Sequence, residues 1–408
     1  YLPLLVSLPG LAAREGDLST CLRQQVEAEL GIRLATALPS DFLEEWPRQT
    51  GMRWLICLDG LDEIVDEGRR NQFGRQLHGA TNPNRRIIIT SRPGVAETPT
   101  LDGSHFPRFY LLPFGENERK MFAECWFSGE SDRFLKEVGE ALPLDMLGLP
   151  LFLTVAAIIY KKSESGLKSG IIQPLELYEK FVTILLKEDE SAGRDMRRQF
   201  EHLLPGGLGE RTFGMRRKIL EAVALALQEG KDAEGAVVDF LESGLECPEV
   251  EAYYWAEGVL EILVSQRSGL ITHRGKAVEF IHPNFREFLA ACALTARYGD
   301  NPDVLWKALL PHLLQESWAN VIPMTVARLK SRSTTDTIVK RLLQANRNDF
   351  REQRPLLLAA SALVNDAGVR KETRQAVVQG LDLLVRTKKN VRVAIAALRR
   401  MGEANVLL

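Results

Sequence analysis

A chain of 408 residues is longer than one hydrophobic core organises and sets an expectation of two to four domains. Its 45% hydrophobic and 26% charged residues are those of a globular protein, and a net charge of −2 gives no bulk attraction to nucleic acid or to a membrane surface. The longest uncharged run, residues 146–160, falls short of the ~20 residues that span a bilayer.

Residues 1–8 read as a strand, residues 19–30 as a helix, and residues 54–58 as a buried strand too short and unbroken for an amphipathic helix. Residues 67–77 are polar and helical. The run Arg85-Arg-Ile-Ile-Ile-Thr-Ser-Arg-Pro93 is a further buried strand ending in polar residues, and residues 109–112 are another candidate before Pro113. Strands alternating with helices predict a parallel sheet covered on both faces.

Beyond Pro113 helical periodicity dominates. Residues 116–127 set Met121, Phe122 and Trp126 towards one face. Residues 134–142 form a short helix, and Gly148-Leu-Pro-Leu151 opens an apolar helix that ends at Tyr160. Pro150 stands at its first turn, where a missing N–H costs nothing. Residues 174–187 are helical. Residues 190–214 read as a polar loop with a short helix. The Gly206-Gly-Leu-Gly run inside that loop has no Gly-Lys-[Ser/Thr] ending and follows no buried strand, so it is a turn rather than a phosphate loop.

Residues 216–267 are helical, residues 269–282 a β-hairpin around Arg274-Gly-Lys, and residues 283–298 a helix. Helices followed by one hairpin are the make-up of a winged-helix domain, although the last of these helices is not basic, which argues against DNA. After Asn301 the chain reads as stacked helix pairs. Their second helices begin near Trp318, Pro355 and Val391, the ~40-residue spacing of HEAT-like repeats. Arg328, Lys330, Arg332, Lys340 and Arg341 make a basic face there, suited to solvent or to an acidic partner.

The chemistry concentrates at two strand ends. Asp59 closes the strand 54–58, with Asp62 and Glu63 just beyond, which suits a Mg²⁺ held by one or two carboxylates, phosphate oxygens and water. Thr90, Ser91 and Arg92 close the neighbouring strand, and a guanidinium there suits a γ-phosphate. Asp-Gly after a strand is also an ordinary turn, and Arg92 before Pro-Gly also an ordinary surface residue. The five scattered cysteines carry no metal-ligand spacing and fit a reducing cytoplasm.

Over residues 1 to about 330 these motifs resemble, in order, the NACHT branch of the STAND NTPases, regulatory ATPases of innate-immune and antiviral signalling. Leu58-Asp-Gly-Leu-Asp-Glu63 is similar to the family's extended Walker B motif. The likeness implies Asp59 as the Mg²⁺ ligand and Asp62 or Glu63 as the residue that positions the hydrolytic water. Thr90-Ser-Arg-Pro93 resembles sensor 1, which implies Arg92 near the γ-phosphate, with Thr90 beside it. Gly148-Leu-Pro-Leu151 is similar to the Gly-x-Pro motif, implying that Pro150 packs on adenine. Phe280-Ile-His-Pro-Asn-Phe-Arg-Glu-Phe resembles the winged-helix signature, implying that His282 contacts the β-phosphate of ADP.

The implied fold is a partial α/β P-loop NTPase core (1–113), a helical domain (114–190), a winged-helix domain (191–300) and α-helical, HEAT-like repeats (301–408). No G-x-x-x-x-G-K-[ST] occurs, so the resemblance predicts an upstream segment with the Walker A strand and loop, and an effector domain before it. The implied activity is slow, regulatory ATP hydrolysis. It drives an ADP/ATP switch that forms homo-oligomers when the C-terminal repeats sense a protein or other ligand, as in anti-phage defence, with no membrane partner. The alternatives are a nucleotide-free helical scaffold and a winged-helix DNA-binding regulator.

Overall fold

The computed structural model describes residues 1–12, 14, 16–30, 37–61, 64, 67–79, 84–91, 106–142, 144–162, 174–191, 194–265, 270–274, 277–346, 353–365, 367–387 and 391–401. The chain is mostly helical, with a small parallel sheet of three strands and a second sheet of two. Packing divides it into two units. One comprises Tyr1–Leu111, Arg274–Ala277 and Gln315–Ser317; the other comprises Leu112–His273, Val278–Leu314 and Trp318–Leu408.

The first unit runs β1 (Leu2–Ser7), α1 (Leu8–Ala12), α2 (Leu18–Leu30), α3 (Phe42–Thr50), β2 (Trp54–Asp59), α4 (Glu67–Gly79) and β3 (Arg85–Ile89). The strands lie parallel in the order β1-β2-β3, in the register Ser7↔Asp59 and Leu58↔Ile89. Parallel neighbours need a crossover, and α2–α3 and α4 supply it. Trp54, Ile56 and Leu58 alternate into the core and meet Leu8, Leu22, Phe73 and Leu77. The amino end of the sheet is clamped. Trp54 donates its indole N–H to the Leu43 carbonyl at 2.9 Å, and buried Arg85 reaches Glu44 at 3.0 Å. At the opposite end Asp59 of β2 and Thr90 after β3 are exposed, while β1 runs into α1 through buried Ser7 and Leu8.

Residues 109–112 are not the expected strand. They are coil, and Phe109, Tyr110, Leu111 and Leu112 are 90%, 64%, 102% and 85% exposed. A strand exists through its ladder, and among the described residues nothing pairs beyond β3, whose Ile88 is 51% exposed.

The second unit begins with α5 (Glu116–Trp126), α6 (Ser131–Ala141), α7 (Leu144–Leu147), α8 (Pro150–Lys162) and α9 (Pro174–Ser191). Met121 leaves the apolar face expected of it and is exposed on α5, while Phe122 and Trp126 stack at 5.8 Å. Where a polar loop with one short helix was expected over 190–214 there are two helices, α10 (Arg194–Leu203) and α11 (Leu208–Gly214). Met196 and Phe200, one turn apart, are buried and hold α10 to the core. The turn between the two helices is the glycine run: Gly206 and Gly207 have φ of +62° and +80°, the left-handed region that glycine enters without strain.

Next come α12 (Arg216–Gln228), α13 (Ala233–Leu245), α14 (Glu249–Ser265), the paired strands β4 (Ile271–Arg274) and β5 (Ala277–Phe280) of the expected hairpin, and α15 (Pro283–Tyr298). Then follow α16 (Pro302–Leu309), α17 (Val321–Ala327), α18 (Arg332–Ala345), α19 (Arg354–Val364), α20 (Lys371–Arg386) and α21 (Val391–Arg400). The starts of α17, α19 and α21 fall close to those read from the pattern. Helix α12 packs on α15, and α15, α17, α19 and α21 continue that line of packing. Caps are written locally: Asn301 accepts from the N–H groups of Asp303 and Val304, and Ser331 from that of Thr334.

The basic face expected of residues 328–341 is largely neutralised. Lys340 pairs with Asp336, Arg341 with Asp303 and Arg328 with Glu179, while Arg332 donates to the Val369 carbonyl.

Candidate functional site

Asp59 ends the middle strand of the parallel sheet, the position where open α/β sheets gather ligands. Its carboxylate is exposed, yet held. Gly60 follows at φ +86°, a left-handed turn open to glycine, and sends the chain back across the strand ends. The Thr90 N–H bonds to the Leu58 carbonyl at 2.9 Å, and the Thr90 carbonyl accepts from the Leu61 N–H at 3.0 Å. That backbone bracket aims the Thr90 hydroxyl, which donates to Asp59 Oδ1 in a short bond and accepts from the Gly60 N–H at 3.0 Å. Thus Thr90 is the residue that orients the carboxylate.

Asp59, Thr90 and Ser91 offer hard oxygens only. Among the described residues no three His, Cys, Asp or Glu side chains gather into a cage. One fixed carboxylate beside hydroxyls fits Mg²⁺, which keeps several waters and takes further oxygens from phosphate. Asp62, Glu63 and Arg92 lie outside the described residues.

Pro150 and His282 belong to the second unit. Pro150 is exposed at the first position of α8. The preceding Gly148 is buried, and its carbonyl accepts from the Phe114 N–H at 2.7 Å. A Cβ at Gly148 would stand 2.7 Å from that of Pro113, so the glycine is needed for this close approach.

His282 caps α15, its Nδ1 accepting from the Asn284 N–H at 3.1 Å. With Nδ1 an acceptor, the neutral ring carries its hydrogen on Nε2 and presents a donor there. Asn284 in turn donates to the hydroxyl of Tyr178, a fully buried residue of α9, at 2.8 Å. The Tyr178 ring packs against Phe152, Phe285 and Phe288 at 5.4–5.7 Å, fastening α8, α9 and α15 together.

Sequence reasoning missed a charged junction beside this cluster. Arg217 of α12 grips Glu179 of α9 through two bonds of 2.5 and 2.9 Å, and Arg328, at the end of α17, reaches the same carboxylate at 3.3 Å. The Arg217 fork holds the Glu179 carboxyl below its ordinary range against the opposing effect of burial, with Arg328 adding to the effect. Burial pushes the neighbouring Cys292 thiol of α15 up to about 12, which leaves it chemically quiet. The partners stand 38 and 149 residues apart, so no local spacing announces them.

No protein-family model matches the chain, and no curated protein matches it.

Proposed function

We propose that this chain supplies the metal-side and regulatory parts of a STAND-type nucleotide switch of the NACHT kind. In this reading Asp59 holds Mg²⁺ against bound ATP, Thr90 sets the carboxylate's orientation, and Glu63 or Asp62 positions the attacking water. Arg92 meets the γ-phosphate. Pro150 packs on adenine and the Nε2–H of His282 donates to the β-phosphate of ADP. The P-loop core, helical, winged-helix and HEAT-like repeat domains follow the boundaries expected from the resemblance. The switch works in the cytoplasm and assembles into homo-oligomers when its repeats bind a ligand.

The observation that carries the reading is the Asp59–Thr90 hydrogen bond. It joins the exposed ends of two adjacent parallel strands, one acidic and one hydroxylic, which an ordinary Asp-Gly turn does not require. Two more features support it: His282 caps α15 through Nδ1, so the neutral ring carries its hydrogen on Nε2, and Pro150 is exposed just after the buried Gly148. The test is made on the natural protein that contains these residues. Titration calorimetry is expected to find Mg²⁺-dependent ATP binding that Asp59→Asn weakens by about tenfold or more, the scale of one charge-assisted contact, with the thermal midpoint unchanged. If full-length protein binds neither ATP nor ADP, the helical-scaffold reading takes its place.

A further inference from the structure

Helices α16 and α18 enclose a cleft that no role above uses. Its volume is about 670 Å³, and Asp303, Trp306, Lys307, Arg341, Gln344 and Ala345 line it. Helical spacing explains the lining. Asp303, Trp306 and Lys307 stand at i, i+3 and i+4 on α16, and Arg341, Gln344 and Ala345 repeat that spacing on α18, so each trio shares one face of its helix. Leu305 and Leu309 of α16, with Ile338 and Leu342 of α18, are buried and hold both helices to the core beneath.

One corner of the cleft is fixed. Arg341 donates to the Pro302 carbonyl at 3.0 Å and pairs with Asp303, which ties α18 to the first turn of α16. That pairing has a consequence for Lys307. The carboxylate four residues before it, its ordinary helical partner, is taken by Arg341. Lys307 is exposed, and among the described residues its side chain forms no ion pair or hydrogen bond; the same holds for exposed Gln344. The cleft therefore carries one unopposed positive charge beside an amide donor. Half-buried Trp306 supplies a large apolar wall, and on the other helix the small Ala345 leaves room for a ligand. A volume inside the ~300–1,000 Å³ of small-molecule sites, with an apolar wall and a few polar groups to fix orientation, is the make-up of a ligand pocket.

We propose that the cleft binds a small organic monoanion, a carboxylate carried on an aromatic ring, with the ring against Trp306 and the carboxylate on Lys307 and Gln344. A cationic ligand is repelled by Lys307 and finds Asp303 already paired. An anion without a ring leaves the indole wall unused. A free aromatic acid and a peptide that ends in an aromatic residue present the same chemistry. The site uses no nucleotide and none of the strand-end residues around Asp59, so it goes beyond the switch proposed above.

Ligand-observed NMR titration of the intact chain with defined probes tests it. Phenylacetate is expected to bind with a Kd of about 1 mM or below, an ordinary efficiency for so small a ligand. Phenylacetamide keeps the ring without the charge and acetate the charge without the ring, and each is expected to bind about tenfold or more weakly. Acetyl-glycyl-phenylalanine separates the two sources: tighter binding than phenylacetate assigns the cleft to a peptide end, weaker binding to a free acid. Lys307→Gln, an exposed side chain whose loss leaves the fold intact, is expected to lower phenylacetate affinity about tenfold and leave that for phenylacetamide unchanged, while Lys307→Arg retains most of it. Trp306→Leu is expected to weaken both ring-bearing probes, with circular dichroism to check that folding is kept. Absence of phenylacetate binding, an amide that binds as well as the acid, or Lys307→Gln binding phenylacetate like the wild type would each overturn the proposal. Asp59→Asn is expected to bind phenylacetate like the wild type, which keeps failure of the nucleotide reading separate from failure of this one.

Discussion

Thr90 spends its whole side chain on its neighbours: the hydroxyl proton goes to Asp59 and a lone pair takes the Gly60 N–H. A carboxylate so held has lost rotamer freedom before any cation arrives, which is the preorganisation that makes a single exposed ligand useful. The consequence is measurable. In full-length protein, Thr90→Ala is expected to lower Mg²⁺-dependent ATP affinity by about tenfold, the weight of one hydrogen bond to a charged group, whereas Thr90→Ser is expected to retain most of it. Equal losses in both variants would assign the effect to the methyl group and to packing. Either outcome is read by the same calorimetric titration.

At the scale of elements, charge is used to tie helices at their ends. Asp336, on α18 and nearly buried, accepts from the Lys340 ammonium at 2.8 Å and from the Arg370 N–H, just before α20, at 3.1 Å. Burial alone would raise its carboxyl, but these donors overcome that and hold it down at about 2. The sign follows: a carboxyl lowered in the folded state stabilises above its unfolded value of about 3.9 and loses that contribution as pH falls towards 2. Asp336→Asn is therefore expected to cost on the order of 2 kcal/mol at pH 7, seen as a lower urea midpoint. The gap from wild type is expected to narrow below about pH 4, and a gap independent of pH would show that shape rather than charge is what the site needs.

Over the whole molecule, legibility depended on whether the deciding partner was close in sequence. Strand β2 announced itself through an uncharged run that stops at a carboxylate, and α15 through His-Pro-Asn at its start. The apolar run 109–112 looked equally strand-like, but a run of apolar residues does not say whether a neighbouring strand exists to pair with it. Helix α10 was hidden by its charges and by the glycine turn after it, although Met196 and Phe200 at helical spacing were there to be weighed. Asp59 and Thr90 came out of strand-end reasoning, but the exchange of bonds between them is long-range and needed coordinates. The Glu179 junction was beyond reach, since its two arginines lie on other helices. Glu179→Gln is expected to cost about 1–3 kcal/mol by urea denaturation of the intact chain, discounted because the carboxylate keeps partial exposure. An unchanged midpoint would reduce the junction to a surface ion pair.

The spacing of that junction also sets a timetable. Arg217 leaves the ribosome 38 residues after Glu179, but Arg328 follows Glu179 by 149 residues. At roughly 5–20 residues per second, the second guanidinium arrives about 7–30 s after the carboxylate it will share. Once Arg217 has emerged, α9 and α12 have only that one arginine to fasten them, and the last connection waits for Arg328 after α17. Slowing synthesis between α15 and α17 lengthens the wait for Arg328, and the yield of folded protein is expected to fall when slow codons are placed over that short stretch.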